Sequence, residues 1–352
     1  MLNKILLRIF GFFETIKDFI VYWGIRVLIL LMVIVICHNV YKLSEFSSLY
    51  SGQYKKMYPV YDEDQKFMNI YQIGDGPKTI VILPGFGSQS PVVQYKALAA
   101  GLQDQYKVVI VEYFGYGFSM SMRKEERSNE NFAREIKGLL DKAGVGGPYV
   151  LMPHSSSNLY AMEFQKQFPD QVQAIVSLDG VYPEEINDKY YVKKCKDTRA
   201  NVNITSIYEL TGFERIASYI SPKTFYIDEM KKRPDIFGEE EFKVYRNRIG
   251  SNYLSRTMVR EIDKLEENMN KLKDYKYPDY LPVLEILASD TVNEYDNAKK
   301  NLGAKVDLIE LSNNILTNKD IQKVVTVNGK HFLNFSNPED VVVKVKEFLG
   351  SF

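Results

Sequence analysis

Ser155 stands at a place in the chain where a hydroxyl could act as a nucleophile. The apolar, β-type run 149–153 stops at His154-Ser155, and a helix-like pattern follows at once from Asn158. That is the outline of a nucleophile elbow, a sharp strand-to-helix turn that lifts one side chain above the edge of a sheet. A hydroxyl is a poor nucleophile near neutral pH and needs a base within hydrogen-bond reach. The turn crowds its own backbone, so the positions two before and two after the nucleophile are usually glycine. Here they are Pro153 and Ser157. A plain N-capped helix is the alternative, because Ser and Asn before an apolar helix are common caps.

The base must come from a short supply, since the 352 residues include three histidines. His38 ends the N-terminal apolar run. His154 adjoins Ser155, with its side chain expected to point away from the hydroxyl. His331 remains; it follows the short β-type run 324–327 and precedes a C-terminal helix pattern. Attack on a carbonyl also needs donors for the developing oxyanion. The run 79–83 ends in Pro84-Gly85-Phe86-Gly87, a loop that presents a backbone N–H, assigned to Phe86; the alternative is an ordinary glycine turn. The second donor is the N–H of Ser156, the residue after the nucleophile. A further strand-like run, 108–112, ends in the loop Gly115-Tyr116-Gly117-Phe118-Ser119, read as structural.

With these parts in this order, the chain from about Tyr58 onward resembles the α/β-hydrolase family, most closely bacterial members whose elbow reads Pro-His-Ser-x-Ser. The resemblance implies a mostly parallel central sheet with helices on both faces and a helical cap inserted before the late strands. It also implies an acid at the end of a strand. The family usually places it after the cap, which points to Asp290 at the end of 281–290; some members place it earlier, which makes Asp179, after 174–178, the alternative. Otherwise Asp179 would cap its turn. The implied chemistry is acyl transfer from an ester, thioester or amide to water: His331 takes the Ser155 proton, and the acid holds the imidazole. Serine rather than aspartate at position 155 argues against the dehalogenase and epoxide hydrolase branches.

The elements that must position these residues alternate strand and helix through Asp179, as expected for parallel pairing with right-handed crossovers. Helix patterns cover 89–103, 129–142, 158–167 and 338–349, and 69–78 reads as a strand with a hairpin turn. The stretch 183–280 breaks the rhythm with helical patterns at 184–196, 206–220, 222–232, 239–249 and 253–273. Its aromatics Tyr208, Phe213, Tyr219, Phe225 and Tyr226 are expected to form the cap's own core, with acyl-pocket lining as the alternative. The Glu/Lys-rich tract 260–273 reads as a solvated face. The expected domains are 1–42 (an amphipathic segment and membrane anchor), 43–57 (a stalk), 58–182 with 281–352 (the core) and 183–280 (the cap).

The apolar run 19–37 is long enough to span a bilayer, which takes about 20 residues. Its one charge, Arg26, can snorkel beside Tyr22 and Trp23 if the span extends to about Tyr41. Lys4, Arg8, Lys17 and Arg26 precede the span, against Lys42, Lys55 and Lys56 after it, which predicts a single-pass protein with its hydrolase domain outside the cytoplasm. No Ala-x-Ala site follows for signal-peptide cleavage, and Ile36 is too large for a lipoprotein site at Cys37.

The balance of 45 basic and 45 acidic side chains gives no footprint for nucleic acid. Two cysteines, Cys37 and Cys195, make no disulfide framework. No metal, cofactor or phosphate loop is expected. The expected partners are the membrane and a small-molecule or lipid-like acyl substrate; oligomeric state is left open. Two other functions compete with an esterase-like serine hydrolase. One is a lidded aminopeptidase that holds a substrate amine on cap acids such as Glu184, Glu185 and Glu209. The other is a catalytically inert binding protein on the same fold.

Overall fold

Eight strands form one sheet: β1 (Met57–Tyr61), β2 (Lys66–Ile73), β3 (Lys78–Leu83), β4 (Tyr106–Glu112), β5 (Tyr149–Pro153), β6 (Val172–Leu178), β7 (Val283–Ala288) and β8 (Gln322–Val327). The structure, a computed structural model, describes residues 2–48, 53–61, 66–122, 126–208, 212–252 and 254–352. The spatial order is β1-β2-β4-β3-β5-β6-β7-β8. β1 and β2 pair antiparallel and β2 joins β4 antiparallel; every pair from β4 to β8 is parallel.

Parallel strands are buried on both faces and so read as nearly continuous apolar runs. In β3, Val81 and Leu83 enter one core while Ile80 and Ile82 enter the other; Val109 and Val111 of β4 part from Val108 and Ile110 in the same way. Side chains alternate across a strand, which makes this split automatic. The expected hairpin at 69–78 does not form: β2 pairs with β4, not β3. The glycines that suggested a turn serve close approach instead. Gly74 holds a φ of +75°, and a Cβ there or on Gly76 would strike the backbone of residues 103–106.

The helices are α1 (Leu2–Ser48), α2 (Pro91–Gln94), α3 (Lys96–Leu102), α4 (Asn129–Lys142), α5 (Ser157–Gln167), α6 (Lys189–Tyr208), α7 (Phe213–Ile220), α8 (Ile227–Lys231), α9 (Glu239–Asn252), α10 (Arg256–Lys271), α11 (Ser289–Asn301), α12 (Leu308–Asn314), α13 (Leu333–Ser336) and α14 (Pro338–Leu349). α4 and α5 cover one face of the sheet; α2, α3 and α14 cover the other. The single helix expected over 89–103 divides at Tyr95, and α6 to α10 fill the insertion between β6 and β7.

α1 is one continuous helix through Ser48, so the first residues of the expected stalk extend it. Residues 11–41 are long and apolar enough to cross a membrane. The Arg26 guanidinium lies 3.9 Å from the centre of the Tyr22 ring and 5.5 Å from that of Trp23.

Candidate active site

β5 lies between β3 and β6, and its C-terminal end breaks directly into α5. The break is tight: Ser155 has a φ of +56°, uncommon for a residue with a Cβ. Backbone bonds on both sides hold it there. The His154 N–H donates to the Leu83 carbonyl at 3.0 Å, and the Ser155 N–H donates to that of Leu178 at 3.0 Å. Val181 donates to the Ser155 carbonyl at 3.1 Å. Pro153, with no N–H, needs no partner there.

Ser157, in place of the usual glycine, has a use of its own. Its Oγ donates to the Pro84 carbonyl at 2.5 Å and lies 2.9 Å from the Tyr113 hydroxyl, which is then the donor to it. The elbow is thereby tied to the loop after β3. The amides of Phe86 and Ser156 make no hydrogen bond among the described residues, and both residues line the cavity that holds Ser155.

His331, in the loop between β8 and α13, places Nε2 3.0 Å from the Ser155 Oγ and Nδ1 2.6 Å from Asp179 Oδ2. With the proton on Nδ1, the ring donates to the carboxylate and accepts from the hydroxyl. Asp179, immediately after β6, is buried and has a φ of +45°. Its Oδ1 accepts from the Ala288 N–H at 2.8 Å, and Oδ2 also accepts from the Thr291 hydroxyl at 2.5 Å. Three donors therefore converge on its carboxylate and fix its orientation toward the ring.

The structure brings Ser155 and His331 together as expected from the sequence, but not Asp290. β7 ends at Ala288 and α11 begins at Ser289, so Asp290 lies in the first turn of a helix, exposed, with its N–H on the Gly329 carbonyl at 3.0 Å. An acid there suits the helix N-terminus. The alternative, Asp179, is the carboxylate facing the imidazole.

A second histidine contributes without touching Ser155. His154 is buried, and its pKa is lowered to about 3, first by burial and then by the charge of His331. It is held neutral in a chain of bonds. The Gly85 N–H donates to the Tyr95 oxygen at 3.1 Å, the Tyr95 hydroxyl donates to His154 Nδ1 at 2.8 Å, and His154 Nε2–H donates to the His331 carbonyl at 3.0 Å. This chain fixes the backbone of His331. Nothing in sequence spacing relates Tyr95, His154 and His331.

The cavity over these groups measures about 370 Å³. Its walls include Tyr160, Val181, Ile262, Leu265 and Leu308, with the Lys194–Glu294 ion pair (2.7 Å) among its polar residues. The insertion between β6 and β7 supplies two buried carboxyls to this lining, Glu185 and, on α10, Glu261, which accepts from the hydroxyls of Tyr116 and Tyr160, each at 2.7 Å. The tract read as a solvated face is therefore solvated only on one side.

Of the aromatics expected to form a cap core, Phe225 is buried and Tyr226 stacks on Phe335, but Phe213 and Tyr219 are exposed. None of these four lines the cavity. The Tyr208 side chain and Glu209 lie outside the described residues. The loop after β4 is structural, as expected: Ser119 Oγ donates to the Glu112 carbonyl at 2.6 Å and accepts from the Asn69 N–H at 2.8 Å. Among the described residues, no three His, Cys, Asp or Glu side chains gather as a metal site.

The fold and this site define an α/β hydrolase. Residues 78–338 match the sequence profile of the α/β-hydrolase fold, and the chain belongs to that family. An uncharacterized protein of Bacillus subtilis, YbdG, is 27% identical over 279 residues, covering 78% of this chain and 81% of its own. Among solved structures, a thermophilic esterase from Thermogutta terrifontis superposes with a TM-score of 0.57 at 14% identity, covering 84% of this chain and 98% of its own. The epoxide hydrolase VrEH1 from Vigna radiata gives 0.59 at 17%, covering 85% and 98%.

Proposed function

We propose that the protein is a membrane-anchored serine hydrolase that cleaves an ester or amide through an acyl-enzyme. The observation that carries this reading is the unbroken hydrogen-bond chain Ser155–His331–Asp179 opening into a cavity beside two unbonded amides. In the first step, His331 Nε2 takes the Ser155 proton as Oγ attacks the substrate carbonyl. Asp179 holds Nδ1–H and stabilises the imidazolium. The oxyanion accepts from the Phe86 and Ser156 amides; each such donor contributes about 3–4 kcal/mol in other enzymes. His331 then protonates the leaving group, and water, activated by the same ring, releases the acid. The cavity volume is at the compact end for small-molecule sites and its apolar wall favours a short acyl chain.

The aminopeptidase reading gains little from the cap acids. Glu184 is half-buried beside Lys276 and does not line the cavity. Glu185 lines the cavity but accepts from the Tyr182 N–H and the Tyr295 hydroxyl, and burial raises its pKa to about 7. A carboxyl held half-neutral is a poor anchor for a substrate ammonium. The inert reading rested on the altered elbow, and Ser157 makes that alteration a bonded part of the site.

α1 supports the anchor: 11–41 is long and apolar enough to cross a membrane and exposes nearly all of its apolar side chains, and the ring-packed Arg26 lies near the start of the part from Tyr22 to Tyr41. The lysine and arginine bias orients the catalytic domain outside the cytoplasm. A reporter at Met1 accessible from outside whole cells would contradict this orientation.

The reaction is tested by rapid mixing of the full chain in detergent with p-nitrophenyl butyrate. A burst of nitrophenol stoichiometric with protein is expected, and it disappears in Ser155→Ala and His331→Ala. Turnover that survives Ser155→Ala overturns the mechanism.

A further inference from the structure

Helix α7 of the cap is amphipathic in the wrong sense for water. It buries Glu214 and Ser218 while Phe213, Ile216, Tyr219 and Ile220 are 57%, 55%, 62% and 78% exposed. A surface helix in water turns its apolar stripe to the core and its polar face outward. Four large apolar side chains on one short exposed helix mark a surface that meets something other than water.

The position of α7 names the occupant. α1 touches the cap at α9, against which α7 packs. Gly212, at the start of α7 with φ +71°, lies so near His38 of α1 that a Cβ would collide with the imidazole. The Arg215 guanidinium lies 4.6 Å from the centre of the Tyr41 ring. His38 and Tyr41 end the apolar stretch of α1. A bilayer core takes about 20 helical residues. Counted from the Tyr22–Trp23–Arg26 cluster at one interface, that length reaches His38–Tyr41 at the other. α7 is therefore at the depth of a lipid headgroup layer, beside the point where the span leaves it.

We propose that α7 is an interfacial helix: the cap rests on the bilayer, with Phe213, Ile216, Tyr219 and Ile220 at the headgroup–acyl boundary. This rests on reading α1 as a membrane anchor. Such helices lie in the membrane plane with the apolar face about 5–10 Å into that boundary. The contact fixes the cap, and not only the anchor, to the lipid surface.

The test places an NBD fluorophore on single cysteines in the full chain carrying Cys37→Ser and Cys195→Ser, reconstituted in phosphatidylcholine vesicles. The sites are Ile216→Cys and Ile220→Cys, with Leu30→Cys reporting the anchor and Val343→Cys on the outer side of α14 reporting water. Phe213→Cys and Tyr219→Cys replace any variant whose circular dichroism departs from the parent. Nitroxide-labelled lipid is expected to cut emission about two-fold or more at positions 216, 220 and 30, consistent with shallow insertion, while 343 responds only to aqueous iodide. Lipid quenching at 30 alone, with iodide quenching at 216 and 220, overturns the proposal and leaves the anchor standing. Quenching at none of the three overturns both. Shielding of 216 and 220 from both quenchers assigns the face to a protein neighbour and equally overturns it.

Discussion

Ser155 and Asp179 share an uncommon backbone state, each with positive φ and a Cβ, each one or two residues past the end of a neighbouring parallel strand. Such conformations cost about 1–3 kcal/mol apiece and persist where surrounding bonds over-determine them. Here the bonds are the Leu178 and Ile286 carbonyls, which accept from the Ser155 and Asp179 N–H groups at 3.0 and 2.7 Å. The two strained turns present hydroxyl and carboxylate to opposite nitrogens of one ring. Asp179→Asn removes the acceptor for Nδ1–H and is expected to lower kcat about 10⁴-fold, as loss of a triad acid does elsewhere. Asp290→Asn, at an exposed helix start, is expected to leave kcat/KM within about two-fold, the scale of an exposed first-turn charge change. Steady-state kinetics on both variants check this; equal losses would contradict the assignment. Ser155 and His331 were legible because a strand-to-helix break and histidine scarcity are local signals. The choice between Asp179 and Asp290 was not, since both follow apolar strands. What separates them is that α11 begins one residue after β7, and an acid then takes the helix N-terminus.

Two elements meet at Ser157. Its hydroxyl ties the start of α5 to the loop carrying Phe86, through Pro84 on one side and Tyr113 on the other. Ser157→Ala leaves the Tyr113 hydroxyl and the Pro84 carbonyl short of a buried partner, which costs about 1–3 kcal/mol. It also frees the Phe86 loop, so kcat is expected to fall more than KM changes; urea melts and kinetics separate the two effects. An unchanged melting midpoint would mean the clasp contributes nothing. Other elements were readable from their ends. α4 and α14 run over their expected residues because Ser128 and Asn337 cap them, accepting from Asn131 and Asp340. The break at Tyr95 and the absence of a β2–β3 hairpin were not readable. Both are set by distant partners, His154 for one and β4 for the other.

Across the whole molecule, three buried glutamates shape the response to pH. Burial raises Glu112, Glu185 and Glu285 each to about 7. Between the unfolded value near 4.5 and 7 the folded chain binds protons that the unfolded chain has released. Stability is therefore fullest below that window and is lost as pH rises through it, by up to about 1.4 kcal/mol per unit for each group. His154 acts the other way between 6.5 and about 3, one group against three. The urea midpoint in detergent is expected to be higher at pH 5 than at pH 8, and the dependence to flatten in the triple Glu→Gln variant. A midpoint that rises with pH would contradict these protonation states. At this scale the sheet, the insertion and the apolar N-terminal run were plain in the sequence. The outward-facing aromatics of α7 were not, because periodicity shows that a helix has an apolar face but not which way it turns.

The proposed acyl-enzyme requires a covalent bond to Ser155 during turnover, and a reagent that traps this bond reports on it without assuming a substrate. The full chain treated with a fluorophosphonate is predicted to carry one adduct, mapped by tandem mass spectrometry to Ser155 and absent after His331→Ala. An adduct on another residue, or none on the folded wild-type chain, would contradict the account.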